Sequence, residues 1–231
     1  MDPGLYIAAA GMVAEQVRQD QLTNDLANAS TPGYKADDCT QQSFGELLLS
    51  NTSTAQAIGG LQTGVRISKI TTDLTPQPLQ QTGQPLDFGI AGVGFFAVRT
   101  AQGIRFTRDG QFSSSAQGLL VDSNGDPVLS QTGATIAVAA NGTVQAPAIG
   151  VFNVNNPAKQ GDNLYTGTAT GRAAGVIRQG ELEPSAADPL ETMTAMIASL
   201  QAYQSGENAI QTIDGTMQTS ANSVASLGGG A

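Results

Sequence analysis

The sequence has no histidine and no tryptophan, and it has one cysteine, Cys39. Without histidine, the chain lacks the side chain that proteins use most often as a general base and as a metal ligand near neutral pH. A single cysteine excludes a disulfide framework within the chain, and we expect the Cys39 thiol to do no essential chemistry. No Gly-x-Ser-x-Gly elbow and no phosphate-binding loop is present. The sequence therefore predicts a protein that is not an enzyme and that uses no cofactor or metal.

Charged residues are scarce and mostly acidic. They make up 13% of the 231 residues, against about 25% in an average globular protein, and the net charge is −9. This balance argues against nucleic-acid binding and disfavours an anionic membrane surface. No apolar run reaches the length of a membrane span. The run 5–14 has the length of a signal-peptide core, but no Lys or Arg precedes Arg18, so we expect a retained helix rather than a cleaved signal.

The N-terminal region, residues 1–33, has the pattern of an amphipathic helix. Asp2-Pro3 supplies an N-cap and a proline at the first helical position, and Pro32 and Gly33 end the helix. A heptad pattern runs through Leu5, Ala8, Met12, Glu15, Gln19, Leu22, Leu26 and Ala29. Two of these positions are polar, so the apolar seam is imperfect.

The C-terminal region, residues 184–231, predicts a second and more regular helix. Asp188-Pro189 opens it, and Glu191 stands where a capping box requires an acidic side chain. An apolar stripe with a spacing of seven follows at Met196, Tyr203, Ile210, Met217 and Val224, widened by Met193, Leu200, Ile213 and Leu227. Sustained heptads of this kind predict a coiled coil.

The back of this second helix is unusual because it has almost no charge. A solvated helix normally carries charges of both signs on its outer face, whereas only Glu191, Glu207 and Asp214 are charged after Leu190. Small and amide side chains there suggest close packing against several neighbours. Gly206 and Gly215 each cost about 1 kcal/mol in a helix interior. Close approach of another backbone would explain them, and so would loose helix ends.

The central region is predicted to be all-β. Residues 34–75 are interpreted as an extended linker with a short strand at 65–70, to which 44–49 could add a short helical or strand turn. Residues 76–183 are interpreted as a β-domain with a sandwich or partly open barrel. Turns are expected at Asp109-Gly110, Asn124-Gly125 and Asn141-Gly142. The expected core consists of Phe88, Ile90, Phe95, Phe106, Phe112, Leu120, Val138 and Phe152. The predicted fold class is α+β, with the two terminal helices paired as a coiled coil.

Residues 22–35, LTNDLANASTPGYK, resemble the signature that ends the N-terminal helix of bacterial flagellar rod and hook proteins. Further similarities keep the family's order: Ala10-Gly11-Met12, Leu86-Asp87, Gly92, Gly94-Phe95-Phe96, Thr107-Arg108-Asp109-Gly110, Phe112, Gly118-Leu119-Leu120-Val121, Gly180, Leu182-Glu183, Ser185, Ala202-Tyr203, Thr212, Asp214 and Met217. Departures occur as well. Asp25 replaces the second of two asparagines, Ala186-Ala187 replaces Asn-Val, and Gln201 and Gln204 replace an Arg and a Glu.

This resemblance implies a structural subunit of the flagellar basal-body rod, of the proximal or the distal type. The chain is too short for the outer domains of hook proteins, and it has a β-domain that the short rod components lack. Members pass through the flagellar export apparatus without a cleaved signal and assemble with copies of themselves and with other rod or hook proteins. Their terminal helices line the axial tube. The implied interface residues are Leu5, Met12, Leu22, Leu26, Met193, Met196, Leu200, Tyr203, Ile210, Ile213, Met217, Val224 and Leu227.

Other interpretations remain open at this stage. A secreted adhesin or carbohydrate-binding β-domain with helical flanks would need exposed aromatic side chains. A free-standing coiled-coil secretion component would not need the β-domain. Asp122, Asn124 and Asp126 imitate the start of a calcium loop, but Pro127 and Gly133 occupy positions where such a loop requires a glycine and a bidentate acid. We expect a hairpin turn there.

Overall fold

The computed structural model describes residues 3–43, 46–50, 57–62, 64–139, 142–144 and 146–228. The two long helices are α1, Pro3–Ala27, and α2, Pro189–Gly228. Between them lie the strands β1 Asp37–Ser43, β2 Glu46–Ser50, β3 Ala57–Gln62, β4 Val65–Thr72, β5 Gln80–Gln81, β6 Phe88–Ala91, β7 Phe96–Thr100, β8 Gly103–Thr107, β9 Ser113–Ser114, β10 Leu120–Val121, β11 Phe152–Gly161, β12 Leu164–Arg172, β13 Val176–Gln179 and β14 Glu181–Leu182. A short 3-10 turn covers Ala146–Ala148. Helices at both ends and strands between them confirm the α+β class.

The chain forms two compact units. We call the first the helical unit; it comprises Met1–Leu26, Asp37–Thr72 and Pro189–Ala231. We call the second the β-unit; it comprises Ala27–Ala36 and Asp73–Asp188.

Two antiparallel strand pairs accompany the helices in the helical unit. β1 pairs with β4. In this pair Asp37 lies opposite Thr72 and Ser43 lies opposite Val65, with an irregularity between Thr40 and Gln41. β2 pairs with β3. The strand predicted at 65–70 is confirmed as part of β4. β2 overlaps the segment 44–49, for which a short helical or strand turn was possible, whereas β1 and β3 are strands where we expected an extended linker. Their sequences lack a regular apolar alternation, so cross-strand pairing decides their conformation.

The largest sheet of the β-unit is antiparallel and has the strand order β11-β12-β8-β7. The other described strands of this unit form the pairs β6-β13, β5-β14 and β9-β10, and single bridges such as Phe95–Phe152 and Val98–Val128 connect the pieces. The arrangement is therefore more fragmented than the sandwich or barrel that the turn spacing suggested.

The core of the β-unit lies on both sides of β7. Phe96 and Val98 belong to one buried cluster, whereas Phe95 and Ala97 belong to another. This separation follows from the strand period of two, which sends successive side chains to opposite faces. Of the eight predicted core residues, the buried ones are Phe88, Ile90, Phe95, Phe106, Phe112 and Leu120. Val138 and Phe152 are half-buried and pack against these clusters.

The predicted turns have different outcomes. Asn124-Gly125 is a tight turn, since Gly125 has φ +87° and a bridge joins Val121 to Pro127. Asp109-Gly110 is not a hairpin turn. Gly110 lies so close to β6 that a Cβ atom there would be 1.7 Å from the carbonyl oxygen of Phe88, so the glycine permits backbone contact. Asn141 lies outside the described residues.

Candidate functional site

The part of the signature that follows α1, residues 28–35, belongs to the β-unit. The Thr31 N–H donates to the Asn28 carbonyl at 3.0 Å, and Gly33 then adopts φ +66°. A Cβ atom on Gly33 would lie 2.3 Å from both the carbonyl carbon and the carbonyl oxygen of Arg108. Gly33 is therefore required for two reasons, its left-handed conformation and its contact with the backbone beneath it.

Main-chain hydrogen bonds join this signature to the segment that precedes α2. The Gly33 N–H donates to the Glu183 carbonyl at 2.7 Å, and the Ala186 N–H donates to the Tyr34 carbonyl at 2.9 Å. The two connections to the terminal helices thus meet side by side within the β-unit.

Three charged side chains lie at this meeting point, and we call them the ionic clamp: Lys35, Arg108 and Glu183. Lys35 Nζ donates to Glu183 Oε1 at 2.6 Å, and Arg108 Nη1 donates to Glu183 Oε2 at 3.0 Å. Each of the three side chains is at most 2% exposed. The Glu183 carboxylate also accepts the Gln77 N–H at 2.8 Å, and Lys35 Nζ donates to the Thr75 carbonyl at 2.6 Å. The carboxylate therefore has three donors.

The electrostatics of the ionic clamp are asymmetric, because two cations share one anion. Burial lowers the pKa of the Lys35 ammonium from its ordinary value, and its hydrogen bond and charge interaction with Glu183 act in the opposite direction. The guanidinium of Arg108 lies 5.3 Å from the centroid of the Phe95 ring, where the ring face attracts a cation. Glu183 is the group that compensates both buried cations.

The carboxylates near the ionic clamp hold local turns. Asp87 Oδ2 accepts from Thr82 Oγ1 at 2.6 Å, and Asp109 Oδ1 accepts from the Gln111 N–H at 2.9 Å. Burial raises the pKa of Asp109 to about 6; the hydrogen bond from Gln111 opposes this shift, and the charges of Asp122 and Asp87 add to it.

The segment that imitates the start of a calcium loop is a turn, as expected. Asp122 Oδ1 accepts the N–H groups of Asn124 at 3.0 Å and Asp126 at 2.8 Å. Among the described residues, no group of three or more His, Cys, Asp or Glu side chains is arranged to hold a metal ion.

In the helical unit, α1 contacts α2 through polar and small residues. Ser199 Oγ donates to Glu15 Oε2 at 2.7 Å, and Gln41 Nε2 of β1 donates to Glu15 Oε1 at 3.0 Å. A Cβ atom on Gly206 would lie 2.7 Å from Met12 Cγ, so this glycine permits close approach of α1. Gly215 has no such neighbour within 4 Å.

The predicted interface residues remain accessible in the single chain. The exposed ones are Leu5, Met193, Leu200 and Met217, and the half-buried ones are Met12, Leu22, Leu26, Met196, Tyr203, Ile210 and Ile213. The side chains of Val224 and Leu227 lie outside the described residues. Apart from Met12 against Gly206, we find no close helix–helix packing of this set among the described contacts.

Sequence reasoning missed a second apolar face. Tyr6 and Val13 of α1 are 60% and 61% exposed, and with Val17 they line a groove of about 370 Å³ against Val65 and Ile67 of β4. On α2, Leu190 and Ile197 are exposed as well. The spacings of seven and four residues between Tyr6, Val13 and Val17 indicate this face. The prediction instead used the heptad through Leu5 and Met12, which lie on a different face of the helix.

Cys39 lies half-buried in β1. Burial raises the pKa of its thiol, and the neighbouring Asp38 and Asp37 carboxylates act in the same direction. In the part of the chain that the structure describes, neither helix is apolar enough over a sufficient length to cross a bilayer.

Two long helices with accessible apolar side chains, together with a β-unit in which Asp87, Asp109 and Asp122 hold local turns and Glu183 pairs with buried cations, are typical of a structural protein that contacts other protein. Three family models match the chain in the expected order. They are "Flagella basal body rod protein" over residues 5–35, "Flagellar hook protein FlgE/F/G D1 domain" over 89–146 and "Flagellar basal body rod FlgEFG protein C-terminal" over 178–224. Each member of the ionic clamp comes from a different one of these regions.

Full-length relatives agree with these matches. The flagellar basal-body rod protein FlgF of Caulobacter vibrioides is 31% identical over 99% of both chains. The flagellar hook-basal body complex protein FlhO of Bacillus subtilis is 30% identical over 97% of this chain and 99% of its own length. The flagellar basal-body rod protein FlgG of Buchnera aphidicola is 30% identical over 94% of this chain and 98% of its own length. The chain belongs to the flagellar basal-body rod protein family and is a structural subunit of the rod.

Proposed function

We propose that this chain self-assembles into the axial drive shaft of the flagellum through its two terminal helices. The observation that carries this proposal is that α1 and α2 touch each other through Glu15 and Ser199 while both keep large apolar side chains accessible. In water such faces are unfavourable, and a polymer would bury them. In this proposal the helices pair as a coiled coil, and the interface consists of the residues predicted from the heptads together with the second apolar face on α1.

The proposed domain organisation follows the sequence division. In this division residues 1–33 and 184–231 contain the axial helices, residues 34–75 follow the first of them, and residues 76–183 form the β-domain. The partners are copies of this chain, other rod and hook proteins, and the flagellar export apparatus. The chain is exported through this apparatus without a cleaved signal. Its location is the flagellar basal body. In this proposal it catalyses no reaction, uses no cofactor and binds no nucleic acid.

The adhesin alternative finds no support in the β-unit. Sugar-binding surfaces use exposed aromatic rings, whereas every described Phe and Tyr of this unit is buried or half-buried. Tyr165 is fully buried, and Phe152 packs against the core.

Localisation together with a deletion strain tests the proposal. We expect the protein in purified basal bodies, and we expect cells that lack it to be non-motile and to regain motility when the gene is restored. A deletion strain that swims normally but fails to adhere to surfaces would support the adhesin instead. A non-motile strain whose basal bodies never contain the protein would indicate a role in secretion rather than in the rod.

A further inference from the structure

The ionic clamp occupies an unusual place in a chain with so few charges. The chain has ten Lys and Arg residues, and two of them, Lys35 and Arg108, are buried against one carboxylate. A buried cation without a partner is strongly unfavourable, so each of the two needs Glu183 in order to be buried. Glu183 is separated from Lys35 by 148 residues and from Arg108 by 75 residues. Compensation of the Lys35 charge therefore depends on a residue at the C-terminal end of the β-unit.

Glu183 is itself held by the β-unit. It follows β14 directly, and β14 pairs with β5 through Glu181–Gln81 and Leu182–Gln80. The Gln77 N–H, shortly before β5, donates to the same carboxylate. Contacts other than the one with Lys35 thus hold the Glu183 carboxylate in position.

We propose that Glu183 is the positioning residue that holds the segment after α1, residues 28–35, in its place within the β-unit, beside the segment that precedes α2. Its side chain holds the signature through Lys35 and the β-unit through Arg108, and its carbonyl oxygen accepts the Gly33 N–H. Within the β-unit, one residue thus holds the segment 28–35 next to the segment 183–188. This inference depends only on the geometry of the β-unit and not on the proposed function.

Electron spin resonance distances between nitroxide pairs in the full chain test this proposal, with Cys39→Ser as the background. One pair, at Ser30 and Ala116, measures the position of the signature on the β-unit. A second pair, at Ala101 and Ala116, lies within the β-strand region and reports whether that region is folded. All three label positions are exposed.

Glu183→Gln removes the charge and keeps the shape of the side chain. We expect it to widen the Ser30–Ala116 distance distribution at least twofold and to leave the Ala101–Ala116 distribution unchanged. Glu181→Gln is the matched control, because the Glu181 carboxylate is partly exposed and its ion pair, at 4.0 Å, is with Arg178 rather than with the ionic clamp. This variant should leave both distributions narrow. If Glu183→Gln also leaves both narrow, main-chain bonds and packing hold the signature without the carboxylate, and the proposal is wrong.

Lys35→Met covers the case in which Glu183→Gln unfolds the β-unit. It keeps the Glu183–Arg108 pair and removes only the cation of the signature, so the Ser30–Ala116 distribution should widen while the Ala101–Ala116 distribution stays narrow. If both variants widen both distributions, the ionic clamp stabilises the whole unit rather than positioning the chain ends, and the proposal is also wrong.

Discussion

Glu15 and Ser199 are 184 residues apart in sequence, and Ser199 Oγ donates a 2.7 Å hydrogen bond to Glu15 Oε2. Ser199 is only 1% exposed, although most of α2 around it is open to solvent. The same Glu15 carboxylate accepts from Gln41 of β1. One acidic side chain therefore ties α2 and β1 to α1, and it does so at a polar heptad position that made the seam look imperfect.

Ser199→Ala should weaken the contact between the two helices. Loss of a buried hydroxyl that donates to a carboxylate costs about 1–3 kcal/mol. Amides of α1 and α2 near the contact should therefore exchange their hydrogens faster, by the factor to which this loss of free energy corresponds. Ser205→Ala on an exposed part of the same helix is the control and should change exchange little. Equal exchange in the two variants would show that the hydrogen bond does not hold the helices together.

The two interior glycines of α2 should respond differently to alanine. Gly215→Ala meets no neighbour and should stabilise the helix by about 1 kcal/mol through higher helix propensity. Gly206→Ala should lose that gain, because its Cβ would lie 2.7 Å from Met12 Cγ and would push α1 away. Thermal melting followed by circular dichroism at the helix band measures both. Equal stabilisation by the two changes would mean that Met12 simply moves aside.

Gly33→Ala should detach the signature from the β-unit. A left-handed conformation costs a non-glycine residue about 1–2 kcal/mol, and here the Cβ would also lie 2.3 Å from the Arg108 backbone. Gly118→Ala is the control, because Gly118 has a similar φ of +70° with nothing within 4 Å. Calorimetric unfolding should show a clearly larger loss for Gly33→Ala than for Gly118→Ala. Similar losses would mean that the backbone contact relaxes freely.

Asp109 should make the stability of the β-unit depend on pH. Its folded pKa of about 6 lies above the ordinary value of 3.8, so the folded state binds the proton more tightly. The resulting stabilisation is complete below about pH 4 and disappears as the pH rises through about 6. Asp109→Asn should remove this decrease, which amounts to at most about 3 kcal/mol.

Chemical denaturation of the two proteins at pH 4.5 and pH 7.5 measures the effect. The difference in unfolding free energy between the variant and the parent should shift in favour of Asp109→Asn at the higher pH. Asp162→Asn, at an exposed turn position, is the control and should show no comparable shift. A pH dependence that persists unchanged in Asp109→Asn would assign it to other carboxylates.

Ile210→Asp should block polymerisation without unfolding the β-unit. Ile210 is half-buried in the single chain and lies in the middle of the apolar stripe of α2, so a carboxylate there would be buried without a partner in the assembled rod. The expected result is a non-motile cell that contains a protein with a protease-resistant β-core. Thr219→Asp, at an exposed position off the stripe, should be milder. Normal rods with Ile210→Asp would show that the stripe is not the assembly interface.

The sequence by itself determined the elements whose signals are local. Capping residues indicate the start of α2 at Pro189, and apolar alternation indicates the strand at 65–70. Because aromatic residues are few, most of those in the central region could be assigned to the core. The end of α1 at Ala27 falls a few residues before Pro32 and Gly33, which mark it. Signals of this kind act within one or two turns of chain, so neighbouring residues are sufficient to show them.

Only the tertiary structure decided which distant groups meet. Lys35, Arg108 and Glu183 are three of the 29 charged residues in the sequence, and nothing local indicates that one carboxylate compensates both cations. Gly110 looked like half of a turn and instead makes room for the Phe88 carbonyl. The strand β1 has no apolar alternation and exists because β4 supplies its hydrogen-bond partners. In each case the deciding interaction is made across a long stretch of chain, where pairing and burial override local preference.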